Sequence, residues 1–180
     1  MNMDFYEKST IHLIIMKKSY FKLLSVFLLT FGVLSSIISC SNDNEKELES
    51  IVAFEELPSD AQKLINDYFG GKENISKIEK QTSDNLIIYE VETADGYEIV
   101  FNQTRAWQQI VAPYNRTVPS GLIPEPIMQT LSVQYHGYGV NEINTTGQNY
   151  HIVLSDNQGG SSIELIFNQS GEILSTGDMD

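Results

Sequence analysis

Histidine, cysteine and carboxylate side chains are the groups in this sequence that could perform catalysis or hold a metal ion. The chain contains three histidines and one cysteine. Neither His136 nor His151 has a second ligand residue at the spacing of a zinc site. The sequence contains no H-E-x-x-H, C-x-x-C, G-x-S-x-G or phosphate-binding glycine motif. We therefore predict no catalytic residue, no cofactor and no metal site.

Two glutamates at equivalent strand positions are the remaining candidates for acid–base chemistry. Glu98 is followed by Ile99, and Glu164 is followed by Leu165. Because successive side chains point to opposite faces of a strand, we expect both glutamates to face solvent and the aliphatic residues to face the core. Ser162 lies beside a glycine-rich turn and has no evident base next to it.

Cys40 is the residue whose surroundings predict a specific chemistry, the attachment of lipid to its thiol. A lysine-rich start precedes residues 23–39, which form a run without a charged side chain. Ile37, three positions before the cysteine, and Ser39, directly before it, resemble a lipobox. That resemblance implies cleavage before Cys40 and diacylglyceryl attachment, so residues 1–39 are predicted to be a lipoprotein signal peptide. A short transmembrane helix is the alternative that the same run allows.

Residues 40–51 are polar and acidic, which is typical of a solvated tether. They lack the glycine-turned loop of a calcium site. An acidic run directly after the lipid cysteine also resembles a signal for surface export in some Gram-negative envelopes. We therefore expect a lipid-anchored protein of the cell envelope, held in the outer membrane and either periplasmic or surface-exposed.

The charge of the mature chain limits its partners. The first 39 residues hold four of the 11 basic and two of the 24 acidic residues, so the remainder has seven basic and 22 acidic residues and a net charge of −15. Such a surface repels phosphate backbones, so we predict no nucleic-acid partner. The membrane is expected to be a partner only through the lipid on Cys40. An unidentified envelope protein or peptide is the other expected partner.

The sequence from about residue 52 repeats itself at an offset of 66 residues. Residues 57–69 and 123–135 each begin with an apolar residue and a proline and continue with helical apolar spacing. The clearest match is between the alternating residues 97–103 and 163–169, which predict strands. Asp95-Gly96 predicts a hairpin turn before the first of these.

These elements predict an α+β fold in which two tandem helix-plus-antiparallel-strand repeats share one sheet, with the helices on one face. Repeat 1 is placed at residues 52–112 and repeat 2 at residues 119–180. The prolines between them mark the connection.

The repeated helix, the alternating strand, the glycine-containing turn and the Glu-x-x-Phe-Asn strand resemble the PepSY-like family, which is also described as beta-lactamase-inhibitor-like. The resemblance covers residues 52–177. It implies an envelope protein with a sheet and helices that binds another macromolecule, and related modules are associated with the inhibition or localisation of peptidases. No inhibitory residue can be assigned by this route.

Two functions remain open. The first is a non-catalytic interaction module, peptidase-inhibitor-like or regulatory, whose candidate binding surface is Trp107, Tyr114 and Tyr138, because aromatic residues are common binding hot spots. The simpler interpretation is that these aromatic side chains fill the core. The second function is a small-ligand binder or an enzyme that uses a cleft between the repeats.

Overall fold

One antiparallel sheet of nine strands in sequential order dominates the protein. The structure is a computed structural model and describes residues 48–83, 86–156 and 161–179. The strands are β1 (Leu48–Ile51), β2 (Ile75–Ser83), β3 (Leu86–Thr93), β4 (Glu98–Asn102), β5 (Arg105–Val111), β6 (Tyr138–Thr146), β7 (Asn149–Asp156), β8 (Ser162–Phe167) and β9 (Ile173–Met179). The helices are α1 (Ser59–Tyr68), between β1 and β2, and α2 (Glu125–Gln134), between β5 and β6. Short 3-10 turns lie at Phe54–Glu56, Lys72–Asn74 and Ser120–Leu122.

The predicted α+β fold of two tandem helix-plus-strand repeats is wrong. The described residues form a continuous sheet with two helices of ten residues each, so the fold is dominated by the sheet. β5 pairs directly with β6 and thereby joins the segments that were assigned to separate repeats. β1 adds a strand that the sequence pattern did not predict. The proposed repeat boundaries, 52–112 and 119–180, stay predictions.

The strands form where β-branched and aromatic residues alternate with polar ones. In β4 the buried Ile99 and Phe101 alternate with the half-buried Glu98 and Val100. The turn before β4 is confirmed: the backbone N–H of Gly96 donates to the carbonyl of Thr93 at 3.0 Å, and Gly96 has a φ of +94°. This left-handed conformation suits glycine, which has no Cβ to clash.

The two helices each begin directly after a proline and cover the same core. Pro58 and Pro124 lie at the N-cap positions, one residue before the helical turn in which they were expected. α1 contributes Ala61 and Ile65 to the core, both fully buried. None of the helices in the described ranges is long and apolar enough to cross a membrane.

The core lies between the helices and one face of the sheet. It contains side chains from α1, α2 and the strands β2 to β8. The largest fully buried side chains are Phe101, Phe167, Ile65, Ile99, Ile110, Ile127, Ile143, Ile152, Leu154, Leu165 and Val91. Burial of each such side chain contributes about 1.5–3 kcal/mol to the stability of the fold. The helices cover one face of the sheet, and the opposite face is left for other roles.

Candidate functional site

The sheet face opposite the core, here called the helix-free face, carries alternate residues of strands β2 to β9. The buried residues of both helices belong to the core cluster on the other face. The strand register joins the helix-free residues into two cross-strand rows. The first row contains Lys77, Glu92, Glu98, Val111, Glu142, Val153, Glu164 and Gly177. The second row contains Glu79, Glu90, Val100, Gln109, Asn144, His151, Ile166 and Ser175. Apart from the exposed Ser175, all of these residues are half-buried.

The two rows contain six glutamates and one lysine. Two positions in the register place glutamates directly opposite one another, Glu92 with Glu98 and Glu79 with Glu90. Like charges at such positions destabilise a sheet. The helix-free face is therefore rich in carboxylates, one of which, that of Glu79, lies 2.8 Å from Nζ of Lys77.

Side-chain contacts hold part of this face in a fixed arrangement. The amide Nε2 of Gln109 donates to Oε1 of Glu142 at 2.6 Å. His151 Nε2 and Glu164 Oε1 lie 2.9 Å apart. The expectation that Glu98 and Glu164 point away from the core is confirmed by the burial of Ile99 and Leu165 beside them.

The histidine–glutamate pair is the arrangement on this face closest to a catalytic dyad. The cross-strand neighbours of His151 are Asn144 and Ile166. Neither side chain can attack a substrate covalently. Among the described residues no group of three or more histidine, cysteine or carboxylate side chains could hold a metal ion.

The three aromatic residues predicted as a binding surface have different surroundings. Tyr114 is 83% exposed and lies beyond the end of β5. Tyr138 begins β6 at the same end of the sheet, is half-buried, and packs edge-on against Tyr135 at 6.3 Å between ring centroids. Trp107 lies toward the other end of β5 and is half-buried against the core. Their joint role in binding stays a prediction, and Tyr114 is the one of the three with a freely accessible ring.

Tyr114 belongs to a loop, residues 113–118, that is tied to the sheet at several points. The backbone N–H of Arg116 donates to the carbonyl of Pro113 at 3.0 Å, which closes a tight turn with Tyr114 at its tip. Asn115 follows with a φ of +71°, a left-handed conformation that asparagine tolerates better than most residues. The backbone N–H of Val118 donates to β6 at 2.7 Å. The turn is therefore presented in one shape.

Asp95 ties the 113–118 loop to the β3–β4 turn. Its Oδ1 accepts hydrogen bonds from the Thr93 hydroxyl at 2.7 Å and from the Asn74 amide at 2.8 Å. Its Oδ2 lies 2.8 Å from Nη1 of Arg116. The Thr93 hydrogen bond, followed by the Asn74 hydrogen bond and the positive charge of Arg116, holds the pKa of Asp95 below its usual range.

Sequence patterns found the Asp95-Gly96 turn but missed the contacts that connect it to distant residues. Arg116 lies 21 residues further along the chain. His151 and Glu164 are likewise paired by register across neighbouring strands, which local spacing does not reveal. The predicted lipidation site Cys40 lies outside the described residues, so its role stays a prediction.

Solved structures of similar shape come from Bacteroides species. A crystal structure from Bacteroides vulgatus ATCC 8482, described as a periplasmic protein of unknown function, has 26% sequence identity and a TM-score of 0.62, covering 72% of this chain and 99% of that one. A second protein from the same organism, described as periplasmic, has 19% identity and a TM-score of 0.63, covering 72% of this chain and 96% of that one. A protein from Bacteroides thetaiotaomicron, described as a calcium-regulated periplasmic protein, has the same identity of 19%, the same TM-score of 0.63 and the same coverage of 72% and 96%. At 19% identity the second and third show likeness of fold alone.

Sequence comparison gives the family. No curated protein matches the chain. The sequence profile described as beta-lactamase-inhibitor-like, PepSY-like matches residues 42–104 and 87–175. These two regions together span most of the chain, from the predicted tether to β9. The chain therefore belongs to the beta-lactamase-inhibitor-like, PepSY-like family.

Proposed function

We propose that this protein is a non-catalytic binding module of the cell envelope that recognises another protein or peptide. The helix-free face carries the proposal, because it is broad and half-exposed and brings six glutamates together in two cross-strand rows. A flat sheet face of this kind can dock a macromolecule, whereas small ligands are usually bound in concave pockets. A peptidase-inhibitor-like or regulatory role is the finer form of this proposal.

The place of action that we propose is the periplasmic side of the envelope or the cell surface, with the chain anchored by lipid on Cys40. The similar solved structures are described as periplasmic, which supports the compartment. The apolar run and the lipobox-like residues before Cys40 support the anchor. An acyl chain contributes about 0.8 kcal/mol for each buried methylene, so two or three chains give stable attachment.

The exposed Tyr114 is the strongest candidate for an additional contact residue. A side chain held on a preformed turn loses little conformational freedom when a partner covers it, and such residues often contribute much of the binding energy. Trp107 and Tyr138 are half-buried, so a partner could cover only part of either side chain.

A photo-crosslinking experiment in living cells tests the proposal. A photoreactive amino acid is placed at Val111 or Val153 on the helix-free face, and at the 73%-exposed Val133 of α2 as a matched control. We expect a discrete adduct with one envelope protein from the two face positions and none from position 133. Tyr114→Ala should weaken the adduct. Identical adducts from all three positions, or none from the face, would contradict a binding role for this face.

A further inference from the structure

The strand β9 leaves one edge of the sheet open. It pairs with β8 and is the last strand in the order. Natural proteins usually protect an edge strand with lysine, proline or short length, because its free backbone groups can pair with another strand. β9 is seven residues long and contains no lysine, arginine or proline; its one charged residue is Asp178, and its pairing with β8 is irregular at Leu174. Its residues Leu174, Ser175 and Thr176 are exposed, so no described part of the chain covers them.

Gly177 in β9 creates a gap beside this edge. Glycine within a strand weakens the strand and often marks a site where another backbone or a ligand approaches closely. Gly177 lies opposite Glu164 of β8 in the register. A Cβ at position 177 would lie 3.5 Å from Oε2 of Glu164. Residue 177 therefore places no side chain against this carboxylate oxygen, while Oε1 faces His151.

The charge of the C-terminal part of the chain favours one kind of strand as a partner for β9. The last 64 residues of the chain, 117–180, contain no lysine or arginine. The same segment contains seven acidic residues: Glu125, Glu142, Asp156, Glu164, Glu172, Asp178 and Asp180. A second copy of this chain would bring the same negative charge to the edge and be repelled, whereas a cationic segment would be attracted.

We propose that β9 is the docking edge for an extended, lysine- or arginine-bearing segment of a partner protein, which adds to the sheet as a tenth strand. Backbone hydrogen bonds to β9 supply affinity that does not depend on the partner's sequence. A cationic side chain of the partner lies over Gly177 and contacts Oε2 of Glu164, which supplies selectivity. This inference rests on the proposed binding role and names the chemistry of the partner.

The test uses the full chain in non-ionic detergent and a fluorescent nonapeptide of alternating lysine and valine. Binding is measured by fluorescence anisotropy, and the contact is located by amide hydrogen exchange. We expect the peptide to slow exchange in β9 and not in β1, and a matched glutamate–valine peptide to leave β9 unchanged. Binding should weaken as salt is raised, because exposed charges are screened.

Two substitutions probe the gap. Glu164→Gln should weaken peptide binding by about two- to fivefold, the range that corresponds to an exposed ion pair. Gly177→Val should weaken it by roughly fivefold or more, since the side chain shields Glu164, while the stability of the chain is kept or raised because valine favours strands over glycine. Glu49→Gln on the opposite edge strand, β1, is the matched control and should leave binding unchanged.

Several results would overturn the inference. One is that Glu49→Gln and Glu164→Gln weaken peptide binding equally. A second is that the peptide slows amide exchange elsewhere but not in β9. A third is that the chain associates with itself through β9 in sedimentation experiments. The photo-crosslinking experiment on the helix-free face is repeated in the Glu164→Gln, Gly177→Val and Glu49→Gln variants. If the cross-link from the helix-free face persists but the peptide does not slow exchange in β9, this inference alone is overturned. If the peptide slows exchange in β9 but the helix-free face gives no cross-link, the proposed binding role of that face is overturned.

Discussion

Three donors converge on the carboxylate of Asp95, and they come from separate parts of the chain. Thr93 lies two residues away, while Asn74 and Arg116 each lie 21 residues away. A carboxylate with several donors is stabilised in its charged form. At the scale of single residues, this group fixes the position of the loop that presents Tyr114.

Asp95→Asn should therefore lower stability in a pH-dependent way. The folded-state pKa of Asp95 is lowered, so its contribution is present above the unfolded pKa and is lost as pH falls through the folded value. We expect the substitution to cost about 1 kcal/mol at pH 7, measured by urea unfolding, and the difference from the original chain to shrink below about pH 4. Asp67→Asn, which removes an exposed helix ion pair, is the control and should change stability by less than about 0.5 kcal/mol. Equal losses for Asp95→Asn at pH 7 and pH 3 would contradict this linkage.

Gly171 is a second residue with a specific structural demand. It has a φ of +79°, and a Cβ there would lie 2.4 Å from the carbonyl oxygen of Pro126 in α2. The adjoining Thr130 hydroxyl donates to the carbonyl of Gly171 at 2.7 Å. The β8–β9 turn and α2 can approach this closely only because residue 171 has no side chain.

Gly171→Ala should destabilise the protein by about 3 kcal/mol in thermal or urea unfolding, since it combines backbone strain with a clash against a backbone atom. Gly137→Ala separates the two causes. Gly137 has a φ of +87° but nothing within 4 Å of the Cβ position, so we expect a loss of about 1 kcal/mol from strain alone. Similar losses for both variants would show that the contact with α2 does not matter.

At the scale of elements, β5 has a central position and two dissimilar faces. It links β4 to β6 in the middle of the nine-stranded sheet. On the core face Gln108 is 6% exposed, and its Oε1 has no hydrogen-bond partner among the residues that the structure describes. On the helix-free face Gln109 pairs with Glu142. Gln108 is therefore expected to lower the stability of the fold, whereas its neighbour Gln109 is expected to raise it.

Gln108→Leu should raise the free energy of unfolding by about 1 kcal/mol. A buried acceptor without a donor costs about 1–3 kcal/mol, and leucine fills a similar volume without a polar atom. Gln109→Leu on the same strand is the control and should lower stability or leave it unchanged, because it removes a donor from Glu142. Urea unfolding of both variants checks the pair. A loss for Gln108→Leu as large as that for Gln109→Leu would show that the Gln108 oxygen is satisfied in solution.

At the scale of the whole molecule, the predicted lipid attachment and the folded core involve separate parts of the chain. The core is built from residues 54–167, whereas the predicted lipid site, Cys40, precedes all of them. The acidic tether and the acidic helix-free face give the mature chain a charge that disfavours adhesion to anionic head groups. Lipid is therefore expected to be the only membrane contact.

Cys40→Ala should leave the sheet folded and abolish lipid attachment, so that the protein is released or mislocalised. Metabolic labelling with a fatty-acid analogue and fractionation of the envelope measure the two effects, and circular dichroism checks the fold. Equal labelling of the variant and the original chain, or a mature N-terminus at another residue, would refute the lipid anchor.

Local patterns predicted many of the elements but not their arrangement. Alternation along residues 97–103 and 163–169 placed β4 and β8, and the proline-led apolar patterns placed α1 and α2. β4 (Glu98–Asn102) and β8 (Ser162–Phe167) are slightly shorter than the predicted ranges. β2 extends to Ser83 through mostly polar residues, because pairing with β3 satisfies their backbone groups whatever their side chains. β1 (Leu48–Ile51) lies within residues 40–51, which were predicted to be a solvated tether, and it forms a strand because it pairs with β2.

The sequence by itself determined the charge, the lipobox-like segment, the alternating strands and the family resemblance, because each depends on composition or on spacing along a few residues. Only the tertiary structure decided the order and register of the nine strands, that six glutamates gather on the helix-free face, and that Gly177 lies opposite Glu164 at the β9 edge. These features depend on pairing between residues far apart in the chain. Register and helix placement fix such pairings, and they are set by the packing of the whole core rather than by any local pattern.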